Sequence, residues 1–148
     1  MTRDRIIWRQ AILIYLGIVC FFLLMKVFNL DQIVELRLLN FAIVFWGLNT
    51  AIKLSIKNDT PSDYLSNFSL AIMTASTALI MVCVSLVVYL EFIDPSFMQV
   101  MEQTGIWGKN LSVLMVVFGI AVEGFASSVI SSFILMQFWK QKSTRLVN

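Results

Sequence analysis

The chain has 148 residues, 59% of them hydrophobic and 14% charged, with a formal net charge of +2. A soluble domain averages about 45–50% apolar and about 25% charged residues, so this balance excludes an ordinary soluble fold and points to a membrane protein. No run of Lys or Arg is long enough to suggest a nucleic-acid partner, and the lack of any histidine removes His-ligated haem, His-containing zinc or copper sites and Ser–His or Cys–His nucleophiles.

The N-terminal segment MTRDRIIWRQ is basic and is followed by the apolar AILIYLGIVCFFLLM. No small-residue cleavage site follows it, and Val19 before Cys20 is a poor lipoprotein signal, so the segment reads as an uncleaved first span. A helix needs about 20 mostly apolar residues to cross a bilayer. Four segments qualify, at about 6–28, 33–56, 62–92 and 111–139, and none has an interior proline. The expected fold is therefore all-α: one membrane domain over 1–148, an integral membrane four-helix bundle in up-down order. Cys20 and Cys83 both fall inside apolar runs, without metal-ligand spacing, and read as small hydrophobes.

The connections carry helix-end signals. In NDTPSDY, Thr60 suits an N-cap, Pro61 the first helical position, and Asp63 the positive end of the helix dipole. The loop 94–110 opens with Asp94 and Pro95 and then places Phe97, Met98 and Met101 at helical spacing. It is either a short amphipathic helix on the membrane surface, anchored by Trp107, or a plain loop.

Orientation follows from the placement of Lys and Arg. Arg3, Arg5, Arg9, Lys53, Lys57, Lys140, Lys142 and Arg145 lie on one side, against Lys26, Arg37 and Lys109 on the other. Both termini are thus expected in the cytoplasm, with 94–110 outside. Trp8, Tyr64 and Trp139 at the inner edge, and Tyr89 and Trp107 at the outer, suit an aromatic belt. Of three N-x-S/T sequons, those at Asn58 and Asn67 fall on the cytoplasmic side, and Asn110 sits at the lip of the fourth span. This favours a bacterial plasma membrane over a glycosylating one.

The third span offers Ala71, Ala75 and Ala78, with Thr74 and Ser85, as packing surface. The fourth separates into two halves at about 100° per residue. Phe118, Val122, Phe125, Val129 and Phe133 form a bulky stripe expected to face lipid. The other half carries Ala121, Glu123, Gly124, Ser127, Ser128, Ser131 and Ser132. Small residues there let helices approach, and serine can hydrogen-bond across the contact. Glu123 is accordingly expected to look into the bundle or a subunit interface.

A carboxylate at membrane depth is costly and asks for a partner or a task. Counted from the inner-edge residues, Glu123, Arg37 and Lys26 all lie roughly 24 Å up their spans. The sharpest expectation is an ion pair of Glu123 with Arg37, with Lys26 as alternative partner and Asn40 one turn deeper adding a hydrogen bond. The competing reading makes Glu123 a proton or cation site. Asn49 on the second span reads either as interhelical glue or as a headgroup contact.

The segments ELRLLNFAIVFWG, YLEFIDPSFM and ISSFILMQFWK resemble a bacterial family of small four-span inner-membrane proteins defined only as a domain of unknown function. The most specific element is the corner Ile93-Asp94-Pro95. The resemblance implies a four-helix integral membrane protein, with no established activity, cofactor or catalytic residues.

Three classes of function remain. A non-catalytic component, either a helper subunit of a larger complex or a homo-oligomer in the lipid bilayer, fits the rows of small residues and the nearly loop-free design. The alternative is a small oligomeric transporter or channel with an intramembrane Glu/Arg site. An enzyme ranks last, since there is no histidine and no pair of carboxylates at matching depth. No catalytic, cofactor-binding or metal-ligating residue is expected, and no cofactor.

Overall fold

The computed structural model describes residues 2–28, 30, 38–57, 64–99 and 112–146, with side chains described as far as Trp139. Among these, the chain is all-helical. Helix α1 spans Arg3–Val27, α2 Leu38–Lys57, α3 Tyr64–Val88 and α4 Val113–Leu146, and α3 continues into a π-helical turn, Tyr89–Ile93. Four helices, counting α3 with its π turn, are long and apolar enough to cross a membrane.

Apolar side chains all round leave each helix without a single obvious packing stripe, so small residues decide which faces meet. Gly47 on α2 is one such place. A Cβ built there falls inside the side chain of Ile14 on α1, well below van der Waals contact. Further down the same pair, Ile6 and Ile7 pack on Ala51, so α1 and α2 run in opposite senses. On α3, Ala71, Ala75 and Ala78 are all but fully buried, in a core with Ala11, Ile14, Leu48, Ile52, Leu135 and Met136.

Helix α3 runs in the same sense as α1. At one end the Arg3 guanidinium donates to the Ser66 carbonyl (3.4 Å) and to Ser69 Oγ (3.1 Å); at the other, Lys26 reaches Tyr89. Helix α4 runs against α3. Gly124 lies where a Cβ would stand 2.6 Å from Leu79 Cδ1, and the Phe68 and Phe133 rings meet at 4.8 Å. The Trp139 indole donates to Asn49 Oδ1 at 3.0 Å, which makes Asn49 interhelical glue between α2 and α4.

The serine row behaves differently from expectation. Ser128, Ser131 and Ser132 are buried, but each hydroxyl donates within its own helix, to the carbonyls of Gly124 (2.6 Å), Ser127 (2.7 Å) and Ser128 (2.8 Å). A serine that returns its proton to the i−4 carbonyl presents little more than a small apolar surface. These residues thus bring helices close without bonding across the contact. Thr74 does the same on α3, to the Leu70 carbonyl at 2.8 Å.

Candidate functional site

Two places concentrate polar chemistry in this apolar bundle. One is a closed corner where α1 meets the end of α3, and the other is the outer face of α4.

The corner grows from the sequence Tyr89-Leu90-Glu91-Phe92-Ile93-Asp94-Pro95. The residue before a proline is pushed out of the helical region, and Asp94 takes φ −146° and ψ 80°. The helix widens just before this stop: the Asp94 N–H bonds to the Tyr89 carbonyl, five residues back, at 2.9 Å. Such π turns add a residue and re-aim side chains. Here Tyr89 and Asp94 converge on Lys26. The ammonium donates to Asp94 Oδ2 at 2.6 Å and to the Tyr89 hydroxyl, and it also lies 4.8 Å from the Tyr89 ring centroid. The Ser96 hydroxyl donates to the other carboxylate oxygen. Lys26 and then Ser96 hold the Asp94 carboxyl well down, at a pKa of about 2 against the ordinary 3.8. The chain then folds back through bonds from Phe97 to Asp94 and from Met98 to Pro95. Phe97 is thereby buried against Leu90 and Val116, edge-on to Phe22 and Tyr89.

Lys26 therefore has a partner, and it is not Glu123. Along α3, Lys26 stands level with Tyr89 and Glu123 level with Leu79, about ten residues or roughly 15 Å apart on the axis. Depth was misjudged because the count for α1 began at Arg9. Arg3 is the residue that meets the start of α3, so Arg9 lies well inside the bundle's length and Lys26 near its far end.

Glu123 itself is exposed on the outside of α4, not turned into the bundle. The strip of α4 packed on the bundle, with Ser128, Ser131, Ser132 and Leu135 buried and the half-buried Gly124 against Leu79, is narrower than the small-residue half of the projection. Glu123 falls about 100° round the helix from Gly124, beyond the edge of that strip. Ile130 and Ile134, both exposed, share its side of the helix, and the bulky stripe of Phe118, Val122, Phe125 and Phe133, about half exposed or more, is centred roughly 120° further round. Leu79, beside Gly124, is midway along the apolar run Tyr64–Ile93. The carboxylate thus sits at mid-height on an apolar surface, and among the described residues it has no ion pair or hydrogen bond. Arg37, its first expected partner, lies outside the described residues. Asn40 is described, and its buried Oδ1 has no hydrogen-bond partner among the described residues.

On the side of the bulky stripe, α3 and α4 part to leave an open apolar groove of about 440 Å³, lined by Ser76, Leu79 and Ile80 on one side and Ala121, Val122, Phe125 and Ala126 on the other. Alanines opposite a serine leave the hollow.

Other polar residues were not singled out as sites by their sequence context. Asn67, read only as a sequon, is buried and accepts a hydrogen bond from Ser55 Oγ at 2.8 Å. Tyr15 and Ser85 share a hydrogen bond of 2.7 Å. Gln10 is 2% exposed, and its Oε1 has no partner among the described residues. Gln10 directly follows Arg9 in the basic start of α1, so its sequence context did not set it apart. Cys20 and Cys83 are unpaired, and among the described residues no group of three or more carboxylates or thiols converges on a metal-sized site. No family model, curated protein or solved structure matches this chain.

Proposed function

We propose that this chain is a multi-pass protein of the bacterial inner membrane, four spans in up-down order with both termini cytoplasmic. It works as a non-catalytic component of a larger membrane assembly, either as a helper subunit or as a homo-oligomer. The observation that carries this reading is Glu123, exposed at mid-height on an apolar outer face and without a partner among the described residues. A carboxylate left to hydrocarbon is expensive, and a protein contact is the simplest thing that covers it.

The orientation is supported by the exposed Arg5, Arg9, Lys53 and Lys57, which cluster toward the end of the bundle where Arg3 meets Ser66. An excess of Lys and Arg marks the cytoplasmic side. The bacterial assignment rests on the resemblance carried by the Ile93-Asp94-Pro95 corner. It also rests on Asn67, a sequon whose asparagine is held in the core by Ser55.

The same carboxylate favours one other reading, an oligomeric transporter whose copies enclose Glu123. Native mass spectrometry of the full chain, extracted from bacterial membranes in nanodiscs, separates the two. Association with other subunits, or a closed set of copies, is expected. A bare monomer overturns the assembly reading. A ring that moves protons into vesicles, and ceases to with Glu123→Gln, establishes the transporter instead.

A further inference from the structure

We propose that the outward face of α1, at the cation-rich end of the bundle, binds an anionic phospholipid of the membrane, with the lipid phosphate held between the guanidinium groups of Arg5 and Arg9. The inference rests on the membrane reading above and does not involve Glu123.

The direction of this face follows from what α1 buries. Ile6, Ile7, Gln10, Ala11 and Ile14 are turned into the bundle, against residues of α2 and α3. Arg5 and Arg9 lie about 150° round the helix from the centre of that strip, and both are exposed. They are one turn apart, about 6 Å along the axis, close enough for two planar forks to share one phosphate. Such forks bind phosphate through paired hydrogen bonds. Trp8 and Ile12, also exposed, form a second row beside the arginines. Further along α1, the arginine row continues into the exposed Leu13 and Leu16. A cationic stretch thus gives way to an apolar one, in the order in which a phospholipid presents its headgroup and its acyl chains.

Height and charge point to the same ligand. Ile7 packs on Ala51, so Arg9 is about level with Asn49, which bonds Trp139 at the end of the apolar run Val113–Trp139. Arg9 therefore stands at the edge of the apolar band and Arg5 about 6 Å beyond it, where headgroup phosphates lie and where an indole such as Trp8 is at home. The described residues at this end include Arg3, Arg5, Arg9, Lys53 and Lys57 against the single acid Asp4, which falls about 120° round α1 from the arginine pair. A cationic surface at this level complements an anionic leaflet. Lys53 and Lys57 on α2 are exposed and one turn apart as well. They are point charges without a fork, and the exposed Trp46 stands about 10 Å from Lys53 along the helix. They carry equal charge without the second row, and so serve as the comparison.

The test titrates the full chain, in a non-ionic detergent, with phosphatidylglycerol or phosphatidylcholine and counts bound lipids by native mass spectrometry. A basic residue at an anionic surface is worth about fivefold, so the first phosphatidylglycerol is expected to bind wild type about 25-fold more tightly than the first phosphatidylcholine. Arg5→Gln and Arg9→Gln each reduce that preference about fivefold, and together they abolish it. Lys53→Gln with Lys57→Gln leaves it in place. Equal binding of the two lipids to wild type overturns the proposal, as does a preference that survives loss of both arginines. An equal loss from the lysine pair assigns the attraction to summed charge and also overturns it. Displacement of phosphatidylglycerol by an equal concentration of glycerol phosphate assigns the arginines to a soluble anion, with the same consequence. Flotation with phosphatidylcholine vesicles is read separately. A chain that does not float has failed the membrane reading itself, whereas one that floats without the lipid preference fails this inference alone.

Discussion

The corner at Lys26 and the face at Glu123 are opposite solutions to one problem, a charge in an apolar bundle. At the corner, one ammonium meets a carboxylate, a phenol and an aromatic ring, and the carboxylate takes a serine hydroxyl as well. A helix widened by one residue and stopped by Pro95 brings these groups together. At Glu123 nothing described answers the charge, and the helix runs through without interruption. A saturated charge is explained by the fold that contains it. A charge with no partner among the described residues is not explained by them, so the first is structural and the second is the functional candidate.

The comparison breaks most easily at the aromatic lid of the corner. Phe97→Ala removes a 6% exposed ring and is expected to lower stability by about 3–5 kcal/mol, as buried Phe→Ala changes do. Thermal unfolding in detergent by circular dichroism measures this. A loss near zero would mean that the fold-back of 94–99 does not close the bundle.

A smaller loss is expected from Asp94→Asn or Lys26→Met, and its pH dependence is the sharper signature. The carboxyl has a pKa of about 2 when folded and an ordinary value of 3.8. Its contribution is therefore complete above pH 3.8, where both states are ionised, and fades as pH falls toward 2, where the folded state also protonates. The difference in melting temperature between wild type and Asp94→Asn should be flat from neutrality to about pH 4 and shrink progressively from there toward pH 2.

Gln10→Met is predicted to raise stability, by about 1 kcal/mol, because it replaces an unsatisfied buried amide with an apolar chain of similar length. A loss would reveal a partner for Oε1. The smallest effect belongs to Glu123→Gln, expected within about 0.5 kcal/mol of wild type, as for surface changes away from special features. A loss of several kcal/mol would give Glu123 the same standing as Asp94 and dissolve the contrast.

Much of the architecture was legible beforehand. Runs of about 20 apolar residues can only be satisfied as helices in lipid, and the four helices found fall on the four runs read from the chain. The alanines at 71, 75 and 78 were legible as packing residues because nothing else suits a close helix contact. The site was less legible. The expected row of Glu123 and Lys26 at one depth came from counting each span from its own inner edge. That count presumes that the helices begin level, and α1 begins six residues before Arg9. Glu123 was expected in the bundle or in a subunit interface, and a projection does not choose between them, because it shows which residues share a side but not how wide a strip the neighbours cover; within the chain Glu123 lies outside that strip. Lys26 with Asp94 was out of reach for a third reason: Asp94 read as the start of a surface loop, and no local pattern announces a π turn.

The sequence by itself determined the helical spans, the apolar character of every face and the end of the bundle that gathers cations, because these depend on composition and local periodicity. Tertiary structure alone decided which charges meet. An ion pair needs two side chains at one height and on facing surfaces, and both are set by the stagger and rotation of packed helices. In this bundle that stagger put Lys26 beside Asp94 and left Glu123 outside.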